Sequence, residues 1–278
     1  MAEAKDIDDS LEFLRHFDKN TENSDLSSLI REKLSLDKKS LDLLGCQLNE
    51  DEFKTIASAS PLNSLSSLNL EQTGLNSTGL QALSSSECFC NLINLSLSNN
   101  NLDDEALFFL SKCSALSRLK NMSLSSNEIS ALGAKVLSLA ERMSNLEQLD
   151  FSYNRLGPIG IKSLVDSKLG RQLNDINLRD TGVGDEGLKF LMQLPPLEKI
   201  VRIDLSDNGL THKGMDFLGR SEVFPNLKVL ILNNNYLGDD GIYAMTESSM
   251  FKNLETLIMH NNGLTTDSAI SLSTSKSI

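Results

Sequence analysis

The chain has no tryptophan and few aromatic residues of any kind (5%), so aliphatic side chains must fill its core. Its four cysteines, Cys46, Cys88, Cys90 and Cys113, show neither Cys-x-x-Cys spacing nor a disulfide framework, which argues against a zinc site or a stapled fold. Cys88 and Cys90 flank Phe89 in a segment that reads as a loop, where burial or inert exposure is the expectation. No run of eighteen apolar residues occurs, so no helix is expected to span a membrane. His16, His212 and His260 are scattered, no nucleophile–base set gathers around them, and no phosphate-binding glycine motif is present. The chain therefore reads as non-enzymatic, with no cofactor or metal. Lysine and arginine form no run, which excludes the usual electrostatic footprint of a nucleic-acid binder. The net charge of −12 (pI about 4.8) suits a soluble protein, and any partner selected by charge should be basic.

What the chain does have is a repeat. Cys46, Thr73, Asn100, Asn127, Asn154, Thr181, Asn208, Asn235 and Asn262 follow one another at a constant interval of 27. The same frame surrounds each of them. The third copy reads Leu92-x-x-Leu95-x-Leu97-x-x-Asn100-x-Leu102, and the eighth reads Leu227-x-x-Leu230-x-Leu232-x-x-Asn235-x-Leu237. Leu-x-Leu alternation is the period of a strand. The apolar pairs three apart that follow, such as Leu107 and Leu110 or Leu188 and Leu191, mark one stripe of a helix. Each unit reads as strand, turn, helix and return loop. Pro61, Pro195, Pro196 and Pro225 fall in the return loops and Pro158 at a helix start, all places that tolerate a missing amide donor. A unit of this size cannot bury its apolar side alone, so the copies must stack into a solenoid.

The leucine frame resembles that of leucine-rich repeat proteins over residues 34–278, and the 27-residue unit with a full helix is similar to the ribonuclease-inhibitor-like subclass. The resemblance implies an α/β horseshoe with a concave parallel sheet and convex helices. Residues 1–33 lie outside the repeat. Leu11, Leu14 and Phe17, then Leu26, Leu29, Ile30 and Leu34, suggest two amphipathic helices forming an N-terminal cap over the open end. The ninth copy opens at Leu254, and the Ser/Thr-rich tail from Ser268 is expected either to cover its end or to leave an exposed edge.

The nine-residue Asn/Cys/Thr column has the polarity of a catalytic row, but its regular placement makes it structural. Stacked amides can bond the turns of adjacent units, and Cys46, Thr73 and Thr181 do so with fewer bonds. Function then belongs to the concave positions six, four and two residues before the column. Copies three and four place small polar residues there. Copies five to seven add Asp150, Asp175, Arg179, Arg202 and Asp204, with Tyr153, Asp180 and Asp207 at adjoining turns. Asp175 should lie beside Arg202, and Arg179 near Asp150 and Asp204. In copies eight and nine, Val229, Ile231, Ile258 and His260 point outward by alternation, and Val229, Ile231 and Ile258 should gather as an exposed apolar cluster.

These residues point to a scaffold that binds a protein partner, monomeric itself, with no nucleic acid and no membrane span. The alternative is a GTPase-activating or other enzyme-regulating repeat protein. The acidic N-terminus lacks the apolar core of a signal peptide, which suggests a cytosolic setting. Free-standing repeat proteins of this kind are similar to effectors that intracellular bacteria deliver into host cells, and the Ser/Thr-rich C-terminus resembles tails read by secretion systems. A host cytosol is then the site of action.

Overall fold

The structure is a computed structural model and describes residues 24–86 and 90–275. Its core is one open parallel sheet of nine strands in chain order: β1 (Ser40–Asp42), β2 (Ser67–Asn69), β3 (Asn94–Ser96), β4 (Asn121–Ser123), β5 (Gln148–Asp150), β6 (Asp175–Asn177), β7 (Arg202–Asp204), β8 (Val229–Ile231) and β9 (Thr256–Ile258). Every pairing advances by 27 residues, from Leu41 beside Leu68 to Leu230 beside Leu257. The interval seen in the sequence is thus the register of the sheet. Alternation does the rest: the central residue of each strand faces the core and its neighbours face the concave side.

Each strand is followed by a helix on the other face. After α1 (Ser24–Lys33) these are α2 (Glu50–Ser58), α3 (Ser77–Ser84), α4 (Asp104–Lys112), α5 (Ala131–Ser138), α6 (Gly157–Val165), α7 (Gly184–Leu191), α8 (His212–Gly219), α9 (Gly238–Thr246) and α10 (Thr266–Thr274). Local chemistry starts them. Asn49 and Glu52 form a reciprocal capping box at α2, and Pro158 stands in the first turn of α6. The small residue at each helix start is there for close approach. A Cβ on Gly160 would lie 3.1 Å from the Ala131 Cα of the preceding helix, tighter than packed atoms accept without a shift.

Leucine, isoleucine and a few phenylalanines from strands, turns and helices form a single continuous core. At its first end, Leu26 and Ile30 of α1 are buried against it, in the place expected of the second cap helix. The first cap helix, through Leu11, Leu14 and Phe17, lies outside the described residues, as do Cys88 and Phe89. At the last end, Thr266–Thr274 is a helix packed on α9, so most of the polar tail is the ninth copy's own convex element. No described helix is long and apolar enough to cross a membrane.

Candidate partner-binding face

The asparagine column does what its position demands. Asn100 Nδ2 donates to Leu70 O (2.8 Å) in the copy before and to Leu97 O (3.1 Å) in its own, while Oδ1 accepts from Thr73 N and Leu75 N. Asn154, Asn208 and Asn235 repeat the pattern, each tying a turn to its predecessor. Thr73 and Thr181 keep mainly to their own turns through Leu70 O and Leu178 O, and the Cys46 thiol reaches only Leu44 O at 3.8 Å. With both ends of the amides of Asn100, Asn154, Asn208 and Asn235 occupied, none of these four side chains is free for a ligand.

One residue before this column the backbone is left-handed in every copy. Gly45, Gln72, Asn99, Ser126, Tyr153, Asp180, Asp207, Asn234 and Asn261 all have φ between +50° and +73°. Glycine, asparagine and aspartate are the residues that tolerate this conformation. That column was present in the sequence as a compositional signal, and the leucine frame drew attention away from it.

Gln72, Ser126 and Tyr153 are the exceptions, and Tyr153 is the bulkiest of them. An aromatic side chain in a left-handed turn costs about 1 kcal/mol or more, and this one is 44% exposed rather than tucked away. It is held from one side: the Arg179 guanidinium carbon lies 5.5 Å from the ring centroid. Arg179 Nε in turn stands 2.8 Å from Asp207 Oδ2, off the N–H axis, so the contact is ionic rather than a hydrogen bond. Asp207 accepts from Asn234 Nδ2 (3.2 Å), and Asn234 from Asn261 Nδ2 (2.9 Å). A line of side chains therefore runs along the turns of copies five to nine and ends at the tyrosine.

The other charges fall into place around it. Arg202 pairs with Asp175 at 3.1 Å, as equal rows require. Arg179 does not join Asp150 or Asp204, as the sequence suggested; it reaches the turn instead. Both of those aspartates are committed to the backbone. Asp150 Oδ1 accepts from Ser152 N (2.8 Å) and Ser152 Oγ (2.6 Å), and Asp204 Oδ1 accepts from Ser206 N (2.9 Å). Asp42, Asn69 and Asn177 make the same closure of the strand end. Asp204 is nearly covered, leaving Asp180 as the exposed carboxylate beside Tyr153. A hollow of about 430 Å³ opens over β2–β7, lined by Asn94, Asn121, Gln148, Asp150, Asp175 and Arg202.

The apolar cluster at the last strands requires correction. Ile231 does face the concave side, but only 8% of it is exposed, and Val229 and Ile258 are half-buried. Register places Ile231 between Asp204 and Ile258, and strands under 5 Å apart bring these side chains flank to flank. Alternation gives the direction of a side chain without giving its cover. Ser152, at the concave position two residues before Asn154, is likewise buried under its bond to Asp150. His260 is exposed, and its backbone amide donates to Asn233 Oδ1.

A second structural row escaped the sequence reading. Asp104 accepts from Ser130 N (2.8 Å) and Ser130 Oγ (2.5 Å), Asp185 from Thr211 N and Oγ1, and Asp239 from Thr265 N, Thr265 Oγ1 and Ser268 Oγ. Each carboxylate caps the helix of the following copy. The bonds from Ser268 first, then Thr265, hold the Asp239 carboxyl below the ordinary range, and the bond from Ser77 does the same for Asp103. The signal was an acid followed by Ser or Thr 26 residues later.

The leucine-rich repeat family model matches residues 142–165, 172–192 and 225–245, without assigning a subclass. No curated protein matches the sequence. Among solved structures, an internalin from Listeria monocytogenes is 16% identical over 96% of this chain and 93% of its own, with a TM-score of 0.37. The ectodomain of the Arabidopsis receptor kinase HAESA, solved with a peptide hormone ligand, is 19% identical over 81% of this chain, with a TM-score of 0.45. This chain spans 34% of that ectodomain. With nine copies of its leucine frame in a single register and three stretches matching the model, the chain is a leucine-rich repeat protein.

Proposed function

We propose that the protein is a non-enzymatic scaffold that holds a protein partner on the concave rim of copies five to seven. Tyr153 carries this reading. It holds the same left-handed backbone as Ser126 and Asp180, its neighbours in the column, but with a bulky aromatic side chain, and its ring is half-open to solvent on a support from Arg179. Strain kept at an exposed aromatic is a feature of binding sites, and a fixed tyrosine is a common interface anchor. Asp180 and the free oxygen of Asp150 supply negative charge beside it, so the partner brings an apolar or aromatic group with a basic side chain next to it. Val229, Ile258 and His260 serve as outlying contacts, with Arg179, Arg202, Asp204 and Asp207 shaping the surface from below. The same reading takes residues 1–33 as the cap, 34–278 as the repeat array, and the cytosol, a host's if the chain is exported, as the setting.

The test is comparative capture. Wild type, Tyr153→Ser and Asp180→Asn are used as baits against one cytosolic extract. Tyr153→Ser, which restores the residue of the adjoining copy, should lose the bound partner with an unchanged melting temperature. Asp180→Asn should weaken the salt dependence of association more than it changes dissociation. Identical capture by all three baits would remove the rim from consideration.

A further inference from the structure

The convex side carries a surface that the concave reading does not use. Helix α5 turns Gly133, Ala134 and Leu137 inward, yet Leu132, Lys135 and Leu139 follow one another at intervals of three and four on its solvent side. Leu132 is 59% exposed and Leu139 72%. Ile159, which occupies the position of Leu132 one copy later on α6, is 65% exposed. Phe108, one copy before Lys135 on α4, is 49% exposed. Four of the largest exposed apolar side chains among the described residues thus gather on three consecutive helices.

The charge around them is close to balanced, whereas the rest of the chain is strongly acidic. From the start of α4 to residue 174 there are nine Lys and Arg against seven Asp and Glu, while the remainder has 17 against 31. Lys112, Lys135, Arg142, Lys162 and Lys168 are exposed, and among the described residues none of them pairs with a carboxylate. Lys112 instead lies 5.9 Å from the Phe108 ring and Lys162 4.9 Å from that of Phe190. Between the ends of α5 and α6 a groove of about 640 Å³ has Lys135, Lys162, Lys168 and Leu139 on its walls. Glu141 and Asp166 also line it, and Asp166 is engaged by Arg171 at 3.2 Å. Glu105, on α4 itself, and Glu186, on the flanking α7, are exposed at the edges of the patch.

We propose that this convex patch over α4–α6 adsorbs to an anionic phospholipid surface. Leu132, Leu139, Ile159 and Phe108 enter the headgroup boundary, and Lys112, Lys135, Lys162 and Lys168 meet the phosphates. The shape argues for a bilayer over an acidic helix. Leu132, Ile159 and Phe108 stand out from a convex surface separately, as interfacial side chains do, and Leu139 alone of the four borders the groove, which is too sparsely apolar to enclose a helix. Lysines interleaved with them match the negative potential of a membrane leaflet. The acidic remainder of the molecule does not forbid this, because at about 0.1 M salt charges more than ~10 Å from the surface are largely screened.

The experiment is co-sedimentation of the whole chain with vesicles of phosphatidylcholine, with and without about 30% phosphatidylserine, at about 0.1 M salt. Wild type should pellet with the anionic vesicles and stay in solution with the neutral ones. Leu132→Gln/Leu139→Gln/Ile159→Gln, and separately Lys135→Glu/Lys162→Glu/Lys168→Glu, should each cut partitioning about tenfold or more at an unchanged melting temperature. All six side chains are exposed, so neither variant disturbs the core. Failure of wild type to pellet with anionic vesicles overturns the proposal, as does wild-type partitioning by both variants. Binding of soluble polyglutamate through the same lysines, with no vesicle association, would overturn it in favour of an acidic protein partner.

Discussion

The fifth and ninth copies are built from the same frame and end in the same left-handed turn, yet they differ in what they bury. In the fifth, Leu146, Leu149, Phe151 and Leu156 are all sealed. Their equivalents in the ninth, Leu254, Leu257, Met259 and Leu264, are only half-buried. Asn154 Oδ1 accepts from Ile129 N at 3.0 Å, whereas Asn262 Oδ1 is buried with no hydrogen-bond partner. The fifth copy has a neighbour on both sides in the structure and the ninth has one. A side chain in this fold is buried by the interface between copies more than by its own unit, so identical residues contribute unequally along the array.

The largest test of that comparison is a buried charge. Leu149→Asp should cost about 4 kcal/mol or more and abolish the cooperative transition, because an unpaired carboxylate would sit in a sealed core. Leu257→Asp should cost no more than about half as much, and thermal melting of the two variants side by side would show it. Equal losses would mean that burial is intrinsic to the unit. The next effect belongs to the amide column. Asn154→Ala strands backbone carbonyls in two copies and should cost about 2–3 kcal/mol, against about 1 kcal/mol for Asn262→Ala, by chemical denaturation.

The concave isoleucines sharpen the comparison further. Ile231→Asp should destabilise by about 1–2 kcal/mol because its flanks are covered, and Ile258→Asp by less than about 1 kcal/mol. Acid provides a fourth test, specific to the junction of copies eight and nine. The Asp239 carboxyl is held below its ordinary value by Ser268 and Thr265, so its contribution is full above the unfolded value of about 4 and is lost as pH falls through the depressed folded value. Protection of the α10 amides against hydrogen exchange, relative to their intrinsic rate at each pH, should therefore fall below pH ~4, and Asp239→Asn should remove that step. The smallest effect is at Tyr153. Tyr153→Asn relieves the left-handed strain and loses the contact to Arg179, so stability should change by under about 1 kcal/mol. A large loss would make the tyrosine a structural residue.

Much of this architecture was legible because one interval governs it. Nine residues at a spacing of 27 gave the register of β1–β9, and the Leu-x-Leu alternation gave the inward face. The limits came from contacts that cross the interval. Arg179 reaches Asp207, one copy on and in the turn, since a long flexible side chain finds the nearest accessible carboxylate rather than the one in its own row. Asp150 and Asp204 looked like free rim charges, but an aspartate at a strand end is drawn to its own backbone two residues later. The cover on Ile231 depends on the width of its neighbours, which a period of two does not encode.

The amide column has a further consequence for the lifetime of the molecule. Asn208–Gly209 and Asn262–Gly263 are sequences prone to chemical ageing, because in a free chain the glycine nitrogen can close on the asparagine side chain and release ammonia. Here the same side chains are pinned, Asn208 by Leu178 O and Ser206 O, and Asn262 by Leu232 O, Met259 O and His260 O. Ring closure must therefore wait for the turn to open, and the aspartate it leaves could no longer donate to those carbonyls. Deamidation at these two sites becomes a clock for local opening that, once run, cannot be reset by refolding.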